Sequence, residues 1–310
     1  MFRILAILVI LVWIPNAARA DPPAKGASPL PQVTVEAERA SLERRVNAFI
    51  SQITLRSDHE SLARWNIPIC PLVSGLPKET GEVMLTRLSE IALAAGALLD
   101  SAQCRPNLYV LVTSDPFELL RAWRKKDPYI FGVLAADDPR HAPPAKVERF
   151  LHTQRPVRVW YNFNNPDAGG GSSQSPRDSL ADLQAGFSGD AAANGGGIAA
   201  PHLVWDTILN LTSVIVVIDL HRTNGITVGQ LADYIAMVTF TQINLDKDPS
   251  TPSTILRLFA GSTSEEPAPS SLSAWDRGFL KGLYQTDQAS RLQRFTIARS
   301  IVQDLQSPGQ

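Results

Sequence analysis

Few residues in this sequence combine the type and the spacing that acid–base chemistry needs. Asp219 and His221 stand two positions apart at the end of an apolar run, Val214–Ile218. In a β-strand, residues two apart share a face, so this carboxylate and imidazole could together polarise a water molecule or bind a metal ion. In the alternative, which we favour, Asp219 makes a local hydrogen bond and His221 lies in a surface turn.

The stretch 226–248 has the pattern of a central helix that ends in acidic residues, and Asp233 is the one acidic residue inside that helix. Apolar residues surround it on nearly every side, and a helix that is apolar all round is a buried helix. An ionised carboxylate that is buried without a partner is unfavourable, so Asp233 must be paired, face solvent or line a cleft. Arg222 and Arg277 are candidate partners. The helical face that could line a pocket holds Gln230, Asp233, Met237 and Thr241.

Motifs of well-known enzyme classes are missing from the chain. It has no His-Glu-x-x-His, no Gly-x-Ser-x-Gly, no Ser-x-x-Lys and no Cys-x-x-Cys. None of the five histidines stands three or four positions from another, so no local metal site is predicted. We therefore predict no cofactor and no metal ion. The sequence leaves enzymatic activity open and favours a non-catalytic role.

The N-terminus has the pattern of a secretory signal peptide, residues 1–20. Arg3 precedes an apolar stretch, 4–14, that is too short to span a membrane, and Ala18 and Ala20 form an Ala-x-Ala cleavage site. An uncleaved anchor is the alternative. The pattern predicts a periplasmic or secreted protein with no membrane association beyond the signal peptide.

Export would place the two cysteines, Cys70 and Cys104, in an oxidising compartment. In an oxidising compartment two cysteines favour a disulfide, and two buried free thiols are the alternative.

The formal net charge of −1 offers no basic surface for nucleic acid.

Hydrophobic periodicity predicts an α+β fold with a single mixed sheet and packed helices. Residues 1–20 are the signal peptide, 21–32 a Pro-rich linker, and 33–310 a single domain. Segment 49–55 could extend into a strand. Thr227 and Gln230 match a capping box that begins the central helix. Helices are predicted at 33–52, 78–99, 116–125, 273–284 and 289–305, and the apolar stripe of the helix at 78–99 includes Val83 and Leu98. Strands are predicted at 107–115, 157–163, 202–208 and 213–220. The strand at 213–220 is predicted to be central in the sheet.

The segment 164–200 interrupts this pattern with two glycine runs and little periodicity. It is predicted to be a flexible Gly-rich insertion, either a disordered loop or a ligand lid. Neither glycine run is followed by Gly-Lys-Ser/Thr, so it is not a phosphate-binding loop.

The C-terminal third, from about Val204 to Leu292, resembles the second half of zincin-type metallopeptidase domains. An apolar strand leads to a buried helix, and a later segment resembles the zincin pattern Leu-Ser/Thr-x-x-Asp-x-x-x-Leu-x-x-Leu-Tyr. The chain also resembles exported bacterial proteins of uncharacterised function that share this C-terminal segment. The residues that match the pattern are Leu272, Ser273, Asp276, Leu280, Leu283 and Tyr284.

The resemblance implies a zincin-like fold whose zinc site is degenerate. Met237 and Thr241 stand where the two helix histidines of a zincin would be, Val238 replaces the glutamate base, and Lys247 replaces the third ligand. Met and Thr are poor zinc ligands, Lys⁺ repels the ion, and Val cannot act as a base.

We therefore expect a non-catalytic binding or scaffold protein with a protein or peptide partner. One alternative is a metal-independent hydrolase that uses Asp233 or Asp219 with His221. Another is a structural protein of the envelope whose insertion becomes ordered on binding.

Overall fold

β-Strands form where the sequence carries runs of β-branched and aromatic residues. The computed structural model describes residues 31–55, 61–127, 130–131, 144–164, 208–247, 249, 253–260 and 267–307. Within them five strands form one sheet. The strands are β1 (Arg64–Trp65), β2 (Pro71–Ser74), β3 (Leu108–Thr113), β4 (Val157–Asn164) and β5 (Asn210–Asp219).

β5 is the central strand of the sheet. β5 pairs in parallel with β3 on one edge and antiparallel with β4 on the other. β1 pairs in parallel with the first two residues of β5 only. β2 extends the sheet beyond β3 in parallel. All side chains from Val214 to Ile218 are fully buried. The mixed class, the single sheet and the central position of the apolar run are thus confirmed.

Seven α-helices lie within the described residues, and two short 3₁₀ segments accompany them, Leu220–Arg222 and Ile255–Phe259. The helices are α1 (Pro31–Ile53), α2 (Lys78–Ala95), α3 (Pro116–Lys126), α4 (Pro144–His152), α5 (Val228–Thr239), α6 (Ala274–Gln285) and α7 (Gln293–Gln306).

Two apolar clusters cover the two faces of the sheet. Side chains alternate between the faces along a strand, so Val214 and Val216 enter the larger cluster with α1, α2, α5, α6 and α7. Ile215 and Val217 enter the smaller cluster, which includes Leu120 of α3 together with residues of α4. The sheet is therefore the middle layer between two layers of helices.

α5 lies in the interior of the larger cluster, and every residue from Leu231 to Thr239 is buried. The capping box is confirmed, because Thr227 Oγ1 accepts from the Gln230 N–H while the Gln230 side chain accepts from the Thr227 N–H. The helix predicted from a nearly uniform apolar pattern is thus fixed at its start and buried along its length.

Cys70 and Cys104 form a disulfide, with their Cα atoms 6.0 Å apart. Cys70 immediately precedes β2, and Cys104 lies in the segment that leads from α2 to β3. The bridge therefore joins the two ends of the β2–α2 unit.

Three details of the predicted elements were wrong. α2 ends at Ala95 rather than Leu99, because Gly96 adopts a left-handed conformation with φ 91° that stops the helix. Val83 and Leu98 are more than half exposed, and Met84 is buried instead. Residues 49–53 belong to α1, and only Thr54 makes a strand-like bridge, to Ile243.

Parts of the sequence interpretation fall outside the described residues. These are the signal peptide, the linker up to residue 30, the insertion from 165 to 200, and the strand predicted at 202–208 except its last residue. In the ranges that are described, no helix is both long and apolar enough to cross a membrane. The chain divides into two compact units, Met1–Ser41 and Leu42–Gln310, and the second contains the whole sheet.

Candidate functional site

Asp233 is buried in α5, with 1% of its surface exposed. Arg87 of α2 binds it with two nitrogen atoms, Nε at 2.6 Å and Nη2 at 3.0 Å. The backbone N–H of Leu272, just before α6, donates to it at 2.7 Å. Both carboxylate oxygens are therefore bound, and the side chain joins α5 to α2 and to the start of α6.

The partner of Asp233 differs from the two arginines suggested by the sequence. Arg222 lies beyond the end of β5, where its Nε is 3.3 Å from Asp219. Arg277 donates to the carbonyl of Leu272 at 2.8 Å instead of to a carboxylate of α5. Helix α2 crosses α5 in the folded chain, and this long-range contact brings Arg87 to Asp233.

Asp219 and His221 do not form a facing pair on a strand. β5 ends at Asp219, and His221 belongs to the 3₁₀ segment that follows, so the two-residue alternation stops between them. Asp219 accepts a hydrogen bond from the backbone N–H of His221 at 3.0 Å, and His221 is exposed. The structure therefore has the alternative that we favoured, in which Asp219 makes a local hydrogen bond and His221 lies at the surface. No hydrogen bond or ion pair among the described residues joins Asp233 to Asp219 or His221.

The positions aligned with the zincin ligands do not converge on an open site. Met237, Val238 and Thr241 are fully buried, whereas Lys247 is exposed. Thr241 Oγ1 donates to the carbonyl of Ala63 at 2.7 Å, so its hydroxyl is used in the interior. A catalytic zinc keeps one coordination position open to water or substrate, and these three buried side chains leave no such position.

Asp276, the acidic residue of the zincin-like pattern, is a second fully buried carboxylate. It accepts hydrogen bonds from the Thr254 hydroxyl, from the Ile255 N–H at 2.9 Å, and from the N–H and hydroxyl of Ser273 at 2.9 and 2.8 Å. Burial raises the pKa of Asp276, and these donors oppose the shift. Asp276 thus caps α6 and holds the 3₁₀ segment Ile255–Phe259 beside it.

Tyr284, the last residue of the same pattern, is also structural. Its hydroxyl donates to the carbonyl of Phe240, at the end of α5, at 2.7 Å. Burial raises the pKa of the Tyr284 hydroxyl far above its ordinary value. The pattern therefore fixes both ends of α6, one through Asp276 and the other through Tyr284.

One cavity formed by the described residues lies between α2, α6 and the end of α7, with a volume of about 480 Å³. This volume lies within the usual range for small-molecule and cofactor pockets. Apolar side chains line part of it, including the nearly buried Leu272 and Leu280. The full lining is Arg87, Glu90, Ile91, Ala94, Ala95, Ser271, Leu272, Arg277, Leu280, Lys281, Gln303, Asp304 and Ser307.

Charged groups of both signs surround the cavity. Arg87 is held by Asp233 and lies 3.5 Å from Glu90, and Arg277 Nε lies 3.7 Å from Asp304. Lys281 forms no ion pair with any of the residues described. Asp219, His221 and Asp233 are not among the lining residues. The cavity therefore offers apolar contacts and charged hydrogen-bonding groups, and this combination suits binding.

No group of three or more His, Cys, Asp or Glu side chains in the described ranges is arranged to hold a metal ion. Comparisons with family models, with curated proteins and with solved structures found no match. The likeness to zincins therefore rests on the residues of the sequence alone.

Arg87 and Lys281 were missed by the sequence interpretation. Arg87 lies within the apolar stripe of α2, one turn after the buried Met84, and a cation in such a stripe indicates a buried anionic partner. Lys281 follows Arg277 by four positions in α6, so the two cations share one helix face. Both signals are present in the sequence, but only the packing of α2 against α6 shows that the two residues line one cavity.

Proposed function

We propose that this chain is an exported protein that binds a peptide segment of a partner on a zincin-like scaffold without zinc peptidase chemistry. The cavity between α2, α6 and α7 is the binding site. Periplasmic or secreted localisation is consistent with the Cys70–Cys104 disulfide and with the N-terminal signal pattern.

One observation carries this proposal above the others. Asp233 and the positions of α5 and its C-terminal end that align with the zinc site are hydrogen-bonded or buried within the fold, and among the described residues His221 makes no hydrogen bond to Asp233, whereas the residues that line the cavity are suited to contact. Asp233 has three hydrogen bonds to the protein, and Met237, Val238 and Thr241 are fully buried. A general base needs a free position beside its substrate, and none of these side chains has one.

A peptide is favoured as the ligand because the lining combines apolar contact area with isolated charges. Ile91, Ala94 and Ala95 of α2 and Leu280 of α6 all line the cavity. Peptide-binding grooves use such apolar surfaces for side chains and place polar groups at their rims.

The absence of zinc peptidase chemistry is tested by elemental analysis of the purified mature chain after dialysis. We expect far less than one zinc per chain and no cleavage of casein. Stoichiometric zinc that survives dialysis, together with cleavage of casein, would contradict the proposal.

The binding site is tested with a displayed library of random twelve-residue peptides. We expect the wild-type chain to select peptides, and Ala94→Trp to weaken their binding at least tenfold, because the indole fills the cavity. Leu93→Trp is the matched control, since Leu93 is 64% exposed on the same helix and does not line the cavity. Selection of no peptide, or equal loss in both variants, would contradict the proposed site.

A further inference from the structure

We infer that the cavity binds the free carboxyl terminus of a peptide, with Lys281 and Arg277 as the groups that recognise the carboxylate. The inference rests on the proposed peptide-binding function and names the part of the peptide that is bound. Three features of the cavity support it: the arrangement of its cations, the engagement of its anions, and its size.

The two cations lie four residues apart on one face of α6, and both line the cavity. Like charges at this spacing repel each other, and an anion that bridges them removes the repulsion. Arg277 is held in place because its Nη1 donates to the carbonyl of Leu272 at 2.8 Å. A carboxylate between Arg277 and Lys281 would therefore meet one fixed cation and one adjustable cation.

Each of the two anions of the cavity lies near an arginine of the same cavity. Glu90 lies 3.5 Å from Arg87, and Asp304 lies 3.7 Å from Arg277. The Arg277–Asp304 contact is longer than a hydrogen bond, so Arg277 can still bind a carboxylate. Lys281 has no carboxylate partner among the described residues. Within the described part of the chain, its ammonium is thus a cavity cation without an ion-pair partner.

The size of the cavity favours the end of a chain over an internal segment. About 480 Å³ lies toward the lower end of the range for ligand pockets. Leu272, at 5% exposure, and Leu280, at 1%, form an apolar floor next to the cations. A terminal leucine places an apolar side chain and a carboxylate on the same residue, which matches this floor and the charges beside it.

The experiment compares two fluorescein-labelled tripeptides by fluorescence anisotropy. Both have the sequence Ala-Leu-Leu; one ends in a free carboxylate and the other in a carboxamide. We expect the acid to bind the full mature chain about tenfold more tightly, as hydrogen bonds to charged groups allow. Equal affinity for acid and amide overturns the inference.

Lys281→Gln is expected to reduce the preference for the acid over the amide, because it removes one of the two cations that recognise the carboxylate. Lys281 is exposed, so the variant should keep the thermal unfolding midpoint of the wild type. Lys247→Gln is the control, because Lys247 is an exposed lysine that does not line the cavity. Equal loss in both variants would show non-specific attraction and overturn the inference.

The tripeptide experiment and the peptide-library experiment can fail independently. If neither tripeptide binds while library peptides still bind in a manner that Ala94→Trp abolishes, the carboxylate inference fails and the proposed function stands. If no library peptide binds either, both fail.

Discussion

At the scale of single residues, two buried carboxylates hold this molecule together in different ways. Asp233 is neutralised by the guanidinium of Arg87, whereas Asp276 is held by hydroxyl and backbone donors. Both link segments that are far apart in the sequence. Each carboxylate therefore joins distant segments of the fold, and each leads to a distinct prediction.

Removing the partner of Asp233 leaves a buried charge that is only partly satisfied. We expect Arg87→Met to lower the free energy of unfolding by about 2–4 kcal/mol, near the lower end for a broken buried pair because Arg87 is partly exposed. Urea unfolding measures the change. The double variant Arg87→Met with Asp233→Asn should be more stable than Arg87→Met alone, because its buried side chain is neutral.

The matched control for this pair is Arg121→Met. Arg121 pairs with Glu118 on the surface of α3, where both side chains are more than half exposed. Such a pair contributes about 0–1 kcal/mol. If Arg87→Met and Arg121→Met lower the free energy of unfolding equally, the assignment of Asp233 as a structural link through Arg87 is wrong.

Asp276 gives a prediction about pH. Its pKa is raised in the folded state, so the carboxyl favours folding fully below the unfolded value of about 3.9 and loses this contribution as the pH rises through the folded pKa. We expect the stability of the wild type, relative to Asp276→Asn, to decrease as the pH rises above about 4. Urea unfolding of both proteins from pH 3 to 9 measures this difference, and an increasing difference would refute it.

At the scale of the elements, α6 is the helix that organises the candidate site. Its two ends are fixed by Asp276 and Tyr284, one face packs against α7, and another face carries Arg277 and Lys281 to the cavity. The close approach to α7 depends on glycine. A Cβ atom on Gly278 would lie 2.6 Å from the Cα of Ile301, and one on Gly282 would lie 2.7 Å from the Cα of Ile297.

Gly278→Ala should therefore separate α6 from α7. The clash is with backbone, which cannot rotate away, so we expect a loss of about 1–3 kcal/mol and a weaker peptide affinity. Gly229→Ala is the matched control in α5, since a Cβ there meets no atom within 4 Å. It should stabilise the protein by up to about 1 kcal/mol, because alanine favours helices. Thermal unfolding of the two variants checks the opposite signs.

At the scale of the whole molecule, the disulfide is the one covalent link between distant segments of the described chain. It closes a loop with a sequence separation of 34 residues, which contains β2 and α2. α2 supplies both Arg87 and one wall of the cavity. The disulfide therefore restrains the part of the fold on which the candidate site depends.

The double variant Cys70→Ser with Cys104→Ser should lower the free energy of unfolding by about 3–4 kcal/mol, as loop-closure entropy predicts for this separation. Chemical denaturation of the variant and of the wild type, with and without reductant, gives the value. Reductant should shift the wild type toward the variant and leave the variant unchanged. A wild type that is indifferent to complete reduction would contradict the role given to the bridge.

Local pattern was sufficient for the elements that lie within short stretches of sequence. The apolar run of β5, the capping box at Thr227 and Gln230, and the nearly uniform apolar surface of α5 each follow from neighbouring residues, and each is present in the structure. The pairing of Cys70 with Cys104 followed from their number once export was inferred. Boundaries such as the end of α2 were less accurate, because a glycine C-cap depends on a single backbone conformation.

The sequence by itself determined most of the longer helices and strands, which helix is buried, and that the motifs of well-known enzyme classes are missing, whereas β1, β2 and α4 were not predicted. Only the tertiary structure decided that Asp233 binds Arg87, that no described hydrogen bond joins His221 to Asp233, and that Arg277 and Lys281 of α6 line a cavity together with α2. The physical reason is the sequence separation over which each effect acts. Periodicity and capping depend on residues a few positions apart. The partner of a buried charge depends on how distant helices pack, and Arg87 and Asp233 are 146 positions apart.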